Sequence, residues 1–209
     1  MAGLARPGTW YLFDYGMVIS TAPADTDWQL LQRETGLDLR PAASPYWAYR
    51  EDFDGGRLSP AAYWAAVLGV PELHPDRVEL LEALDAAQWA HLNPSTLDML
   101  ATLSREGANL ALLSNMPAEL SARYLREAPW PGYFRKTYFS GPLQLTKPDR
   151  RIFEHVLRDL GAAPEDVVFI DDNAANIAAA QELGLRTIHF QPPGGAGEPT
   201  DLRRLLPEA

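Results

Sequence analysis

Two adjacent carboxylates, Asp171-Asp172, follow the apolar run Val167 to Ile170, and a third, Asp14, follows the apolar run Trp10 to Phe13. A carboxylate at the mouth of a buried strand is costly unless it is paired, hydrogen-bonded or bound to a metal. Lys147 lies just before Pro148, and Ser114-Asn115 close a third apolar run, Asn109 to Leu113. These residue types form a chemical set. A carboxylate can attack phosphorus and form an acyl-phosphate intermediate. A fixed cation and oriented donors then balance the charge of the transferring phosphoryl group. Lys147 could supply that cation, and the Ser114 hydroxyl and the Asn115 backbone N–H could be donors. Paired acids such as Asp171 and Asp172 suit Mg²⁺, a hard ion that prefers carboxylate, carbonyl and water oxygens. The ion would also let Asp14, Asp171 and Asp172 lie close together.

These residues are far apart in the chain, so a fold must gather them. Strands are expected at Trp10 to Phe13, Asn109 to Leu113, Thr137 to Phe139, Val167 to Ile170 and Arg186 to Phe190. Helices are expected at Leu97 to Leu103, at Ile152 to Leu160 with Pro148 in its first turn, and at Ala174 to Leu183; Gly107, Gly161 and Gly184 mark their ends. This alternation predicts a doubly wound, Rossmann-like parallel α/β sheet, in which strand C-termini share one edge and carry the chemistry.

From about residue 22 to 92 the strand signals stop. Four helical pieces are expected there: Trp28 to Thr35, Tyr46 to Phe53, Pro60 to Leu68 and Asp76 to Trp89. Four of the six tryptophans fall in this stretch. The expected organisation is an α/β core of residues 1–21 and 93–209 and a helical cap subdomain of residues 22–92, inserted where it could close over the site. Arg50 and Arg57 of this stretch are expected in ion pairs rather than on a substrate. After Phe190, the Pro- and Gly-rich 192–197 reads as a loop leading to a short helix, Asp201 to Leu206.

Bulk properties remove several classes. The 209 residues carry a formal net charge of -10 and no cysteine. No nucleic-acid partner is expected of so acidic a chain. Zinc-thiolate sites, disulfide frameworks and cysteine nucleophiles are excluded. No run of about 18 apolar residues and no signal-like stretch at Met1 to Thr9 occurs, so no membrane association and a cytoplasmic location are expected. His74, His91, His155 and His189 form no ligand pair at helical spacing.

The ordered set of Phe13 to Val18, Leu113-Ser114-Asn115, Lys147-Pro148 and Phe169 to Asn173 resembles the haloacid dehalogenase-like hydrolase superfamily across essentially the whole chain. It is most similar to the branch that contains sugar-phosphate phosphatases with a small helical cap. The resemblance implies Asp14 as nucleophile, Lys147 bridging Asp14 and phosphate, and Ser114 and Asn115 holding phosphoryl oxygens. It also implies Mg²⁺ held by Asp14, the Gly16 carbonyl and Asp172 with Asp171 beside it, and Asn176 orienting the loop of the fourth motif. The implied activity is Mg²⁺-dependent hydrolysis of a small phosphorylated metabolite, such as a sugar phosphate. The chain departs from the pattern at Gly16, where most phosphatases of this superfamily have a second aspartate that exchanges a proton with the leaving group. Two other functions therefore stay open: a 2-haloacid dehalogenase, or a phospho-ligand binder without turnover.

Overall fold

The computed structural model describes residues 8–192 and 198–205. Five strands form one parallel sheet, in the order β3-β2-β1-β4-β5. They are β1 (Trp10–Phe13), β2 (Asn109–Ser114), β3 (Lys136–Phe139), β4 (Val167–Asp171) and β5 (Arg186–His189). All five expected strands are present, and β1 lies at the centre. Its register pairs Phe13 with Leu112 on one side and with Ile170 on the other. The residues that follow these three therefore emerge together at one edge.

Alternation along each strand builds two apolar layers. Tyr11, Phe13, Leu110, Leu112, Val168 and Ile170 face one layer, closed by α6 (Pro94–Arg105) and α7 (Ala118–Glu127) through Met99, Leu103 and Leu120. Leu12, Ala111, Leu113 and Phe169 face the other, closed by α9 (Arg150–Leu160) and α10 (Ala174–Glu182). In α9, Ile152, Phe153 and Val156 fall on one face and are essentially fully buried. Each such side chain contributes roughly 1.5–3 kcal/mol.

Between β1 and α6 the chain forms α1 (Asp25–Thr35), α2 (Pro45–Ala48), α3 (Arg50–Asp54), α4 (Pro60–Leu68) and α5 (Pro75–Gln88). These helices have their own apolar cluster, including Leu31, Phe53, Tyr63, Trp64 and Leu81. Tyr46 is its hub. Its ring meets Trp28, Trp47 and Trp64 at centroid distances of 5.4, 4.8 and 6.3 Å, and its hydroxyl accepts the Trp89 indole N–H at 2.9 Å. The stretch leaves and re-enters the core at one point, where Ser20 and Leu92 form an antiparallel bridge.

Three local expectations need correction. Tyr46 to Phe53 is two helices rather than one: the turn tightens at Tyr49 (φ -107°, ψ 0°), which ends α2 and caps α3. Pro148 is not in the first turn of α9, because the Asp149 side chain caps that helix by accepting the Arg151 N–H at 2.9 Å. The last helix, α11 (Leu202–Leu205), is shorter at its start than expected. Residues 193–197 of the expected loop, residue 206 of that helix and residues 1–7 of the N-terminal stretch lie outside the described residues. Among the described residues, no helix is long and apolar enough to cross a membrane.

Candidate active site

At the end of β1 the Asp14 N–H continues the ladder by donating to the Ile170 carbonyl at 2.9 Å, while Asp14 Oδ1 accepts the Tyr15 N–H at 2.7 Å. The side chain is thus aimed at the sheet edge before any partner is counted. Met17 closes the following turn with φ 57°, the left-handed region, which costs a non-glycine residue on the order of 1 kcal/mol. Tyr15 anchors the turn from below. Its ring packs on Tyr124 and Trp130 at 5.3 and 5.1 Å, and its hydroxyl donates to the Trp89 carbonyl at 2.7 Å.

Lys147 arrives from the loop that precedes α9. Its Nζ lies 2.9 Å from Asp14 Oδ1 and 2.6 Å from Asp171 Oδ2, with the Phe169 ring centroid at 5.4 Å. Only 4% of Lys147 is exposed. Burial works against its charge, but the Asp14 and Asp171 carboxylates outweigh that and raise its pKa, so the ammonium keeps its proton.

Asp171 is fully buried and its oxygens are occupied by the protein. They accept from Lys147 Nζ, from the Asn173 N–H at 2.7 Å and from Asn176 Nδ2 at 3.0 and 3.1 Å. Asp172, next in sequence, is more open. Its carbonyl is 2.9 Å from His189 Nε2.

Asp14, Asp171 and Asp172 each offer a carboxylate oxygen within 4.8 Å of the others. Burial first, then repulsion from Asp171 and Asp172, pushes Asp14 up to about 7 against the pull of Lys147. Burial and the Asp171 charge likewise push Asp172 up to about 6. One lysine does not offset three clustered carboxyls. An oxygen-only set that is short of positive charge fits a hard dication such as Mg²⁺.

Ser114 ends β2 and is buried, and Asn115 follows it. The expectation for Asn115 concerns its backbone N–H; its side chain, in addition, bonds the main chain of Lys147 at both N and O, at 2.8 and 2.9 Å. Gly16 is half-buried, its φ is outside the left-handed region, and a Cβ placed on it would meet no heavy atom within 4 Å. All seven residues singled out in the sequence, Asp14, Gly16, Ser114, Asn115, Lys147, Asp171 and Asp172, thus belong to segments that meet at the C-terminal sheet edge.

Arg50 is held by Asp54 and Asp85 at 2.8 and 3.0 Å, and Arg57 pairs with Asp52 and Glu51, so both stay in the ion pairs expected of them. Ser140 was not found from sequence. Its Oγ accepts the Met116 N–H at 2.8 Å and donates to the Asp54 carbonyl at 2.5 Å, tying the loop after Asn115 to α3. Nearby, Gly56 at φ +70° comes so close to Gly141 that a Cβ there would sit 2.5 Å from the Gly141 carbonyl oxygen. A lone serine after an apolar strand carries no sequence signal for this link.

Comparison with known proteins gives the family and the fold. A family model described as haloacid dehalogenase-like hydrolase matches residues 32–184. Phosphoglycolate phosphatase 1 of Pseudomonas aeruginosa is 31% identical over 102 residues, 49% of this chain and 38% of that protein. A sesquiterpene phosphatase of Aspergillus oryzae is 25% identical over 185 residues, 86% of this chain and 88% of that one. This chain covers less than two thirds of several curated relatives, 38% of the first of these and 11% of another. The crystal structure of a family enzyme from Bacteroides thetaiotaomicron, in complex with magnesium and inorganic phosphate, superimposes with a TM-score of 0.71 at 22% identity, over 90% of this chain and 97% of that one.

Proposed function

The chain is an enzyme of the haloacid dehalogenase-like hydrolase family, and from that premise we propose that it is a Mg²⁺-dependent phosphatase acting on a small phosphorylated metabolite. The observation that carries this reading is the buried triangle of Asp14, Lys147 and Asp171, with Nζ 2.9 and 2.6 Å from the two carboxylates, beside the open Asp172. Curated relatives named as phosphatases, including a D-ribitol-5-phosphate phosphatase 34% identical over 108 residues, support the reaction class.

In this reading one Asp14 oxygen, kept in line by its bonds to Lys147 and Tyr15, attacks phosphorus. Lys147 stays protonated and meets the charge spread over the phosphoryl oxygens. The Ser114 hydroxyl and the Asn115 N–H bind those oxygens. Asp171 acts through Lys147, whose ammonium it orients, rather than through the ion. Asp14, the Gly16 carbonyl and Asp172 would hold Mg²⁺, which supplies positive charge to the phosphoryl oxygens as the bonds change. Water then releases phosphate from the Asp14 acyl-phosphate. Residues 22–92 would act as a cap that excludes bulk water during these steps.

The test is phosphate release from a panel of phosphoesters with Mg²⁺ and with EDTA, for the native protein and Asp14→Asn. Release that needs both the metal and Asp14 is expected. Equal turnover by a folded Asp14→Asn protein would sink the proposal. Gly16 favours a second reading, a 2-haloacid dehalogenase, because no proton is exchanged in displacing halide from carbon. Halide release from 2-chloropropionate in EDTA would put that reading in place of the first.

A further inference from the structure

Among the described residues, the surroundings of Asp14 contain a nucleophile and a cation, and each acid close to it is already engaged; the His189 ring lies 2.9 Å from the Asp172 carbonyl through Nε2. The charged groups that weigh most on Asp14 are Lys147, Asp171 and Asp172. Lys147 spends its ammonium on two carboxylates, and Asp171 accepts from Lys147, Asn173 and Asn176. Asp172 belongs with Asp14 to the carboxylates assigned to the metal. In the helices between β1 and α6, Asp54 is bonded to Arg50 and Asp85 to Arg50 and Tyr46, so neither is free. Position 16 itself has room for a side chain and carries none.

Leaving-group chemistry then decides which substrates react. An alkyl phosphomonoester must expel an alkoxide, about as basic as hydroxide (the pKa of bulk water is about 15.7), unless an acid protonates it. General-acid help of that kind is typically worth ~10²–10⁴-fold in rate. A diphosphate instead expels a phosphomonoester, whose second pKa is about 6, and this dianion needs no proton to depart. An anionic leaving group also benefits from the absence of a third carboxylate beside the nucleophile.

We propose that this site is specialised for phosphoanhydrides, cleaving the terminal phosphoryl group of an organic diphosphate and releasing the monophosphate. The proposal rests on the reading of Asp14 as a phosphatase nucleophile. In the first step an Asp14 oxygen lone pair forms the O–P bond, and the bridging P–O bond breaks with its electron pair going to the monophosphate. Carboxylate and diphosphate trianion become acyl-phosphate dianion and monophosphate dianion, with no proton moved. In the second step water cleaves the acyl phosphate, both of its hydrogens remain on the released dihydrogen phosphate, and the Asp14 carboxylate is restored. The leaving carboxylate is a weak base, so this step also proceeds without an acid.

The experiment compares an alkyl monophosphate, the diphosphate of the same alcohol, and 4-nitrophenyl phosphate with Mg²⁺, following products by ³¹P NMR. For the native protein, kcat/KM on the diphosphate and the nitrophenyl ester should exceed that on the alkyl monophosphate by about 100-fold or more. The alkyl monophosphate should accumulate as product, with no free alcohol. Gly16→Asp should raise turnover of the alkyl monophosphate by about 100-fold and narrow the gap. Equal kcat/KM on the two alkyl substrates, or direct conversion of the diphosphate to alcohol, overturns the proposal whether or not Gly16→Asp folds. Absence of phosphate release from all three substrates would instead remove the phosphatase reading, and this proposal with it.

Discussion

Asn115 holds Lys147 by its main chain: the carboxamide oxygen accepts the Lys147 N–H at 2.8 Å and the amide nitrogen donates to the Lys147 carbonyl at 2.9 Å. A side chain at the end of β2 thereby sets the height of the loop that carries the cation, 32 residues further along the chain.

Removing this clamp should act on catalysis through Lys147. Asn115→Ala is expected to lower kcat by about 10-fold or more, and to cost about 1–3 kcal/mol of stability for two main-chain groups left unpaired. In a Lys147→Met background the same substitution should cost stability again but remove no further activity. Kinetics and thermal melts on the double-mutant cycle check this. Additive losses in kcat would show that Asn115 acts independently of Lys147.

The clustered carboxyls tie stability to pH. Asp14, at about 7, and Asp172, at about 6, both lie above the 3.8 of a free aspartate. Between about pH 4 and 7 the metal-free folded protein therefore holds protons that the unfolded chain has released. Its stability falls as pH rises through this window and levels off above about 7. Bound Mg²⁺ needs the ionised forms, so the Tm gain from adding Mg²⁺ should grow from pH 5 to pH 8. A gain independent of pH would contradict this.

Glu82 in α5 gives a prediction remote from the site. Burial, then the charge of Asp85, pushes its carboxyl up to about 7, although it accepts the Trp64 indole N–H at 2.6 Å. Folding favours the protonated acid, so the carboxylate is penalised as pH rises through 7. Glu82→Gln keeps an acceptor for Trp64 and removes the charge. It should leave stability little changed at pH 4 and raise it by ~1–2 kcal/mol at pH 8, after allowance for solvent reaching the cavity that Glu82 lines. Denaturant melts at the two pH values test it.

Gly56 meets the core with no space to spare. Gly56→Ala brings a Cβ to 2.5 Å from the Gly141 carbonyl oxygen at a φ of +70°. The contact between the end of α3 and α8 (Ser140–Leu143) should open, costing on the order of 1–3 kcal/mol and changing kcat and KM together. Ser140→Ala removes the hydrogen bonds to the Asp54 carbonyl and from the Met116 N–H but adds no clash, and should do the same more weakly. Paired kinetics and melts separate steric from polar loss.

The sheet and its edge were legible because their signals are local. Short apolar runs such as Val167 to Ile170, bounded by turn residues, read as buried strands, and an acid after two of them, Asp14 and Asp171, marks where the edge lies. Asp14, Lys147 and Asp171 were placed in one site by their chemistry and by the order of the motifs that carry them, and Lys147 contacts both carboxylates. What stayed hidden depends on tertiary approach. The role of the Asn115 carboxamide has no signal in the sequence, because its partner lies 32 residues away. The division of Tyr46 to Phe53 at Tyr49 is set by packing around Tyr46, which helical periodicity does not register. Pro148 looked like a helix starter only because the cap at Asp149 competes for the same position.

The antiparallel bridge of Ser20 with Leu92, extended by Thr21 N–H to the His91 carbonyl at 2.7 Å and Asn93 N–H to the Ile19 carbonyl at 2.8 Å, brings the two ends of the intervening helical stretch side by side. For the sheet, everything between these ends is a closed loop, and lengthening such a loop costs only about 0.6 kcal/mol per doubling. The stretch is consequently a cassette. A different set of helices, larger or smaller, could be joined at the same two residues without breaking a strand hydrogen bond, provided it replaced the props that this stretch gives the core at Tyr15 and Ser140.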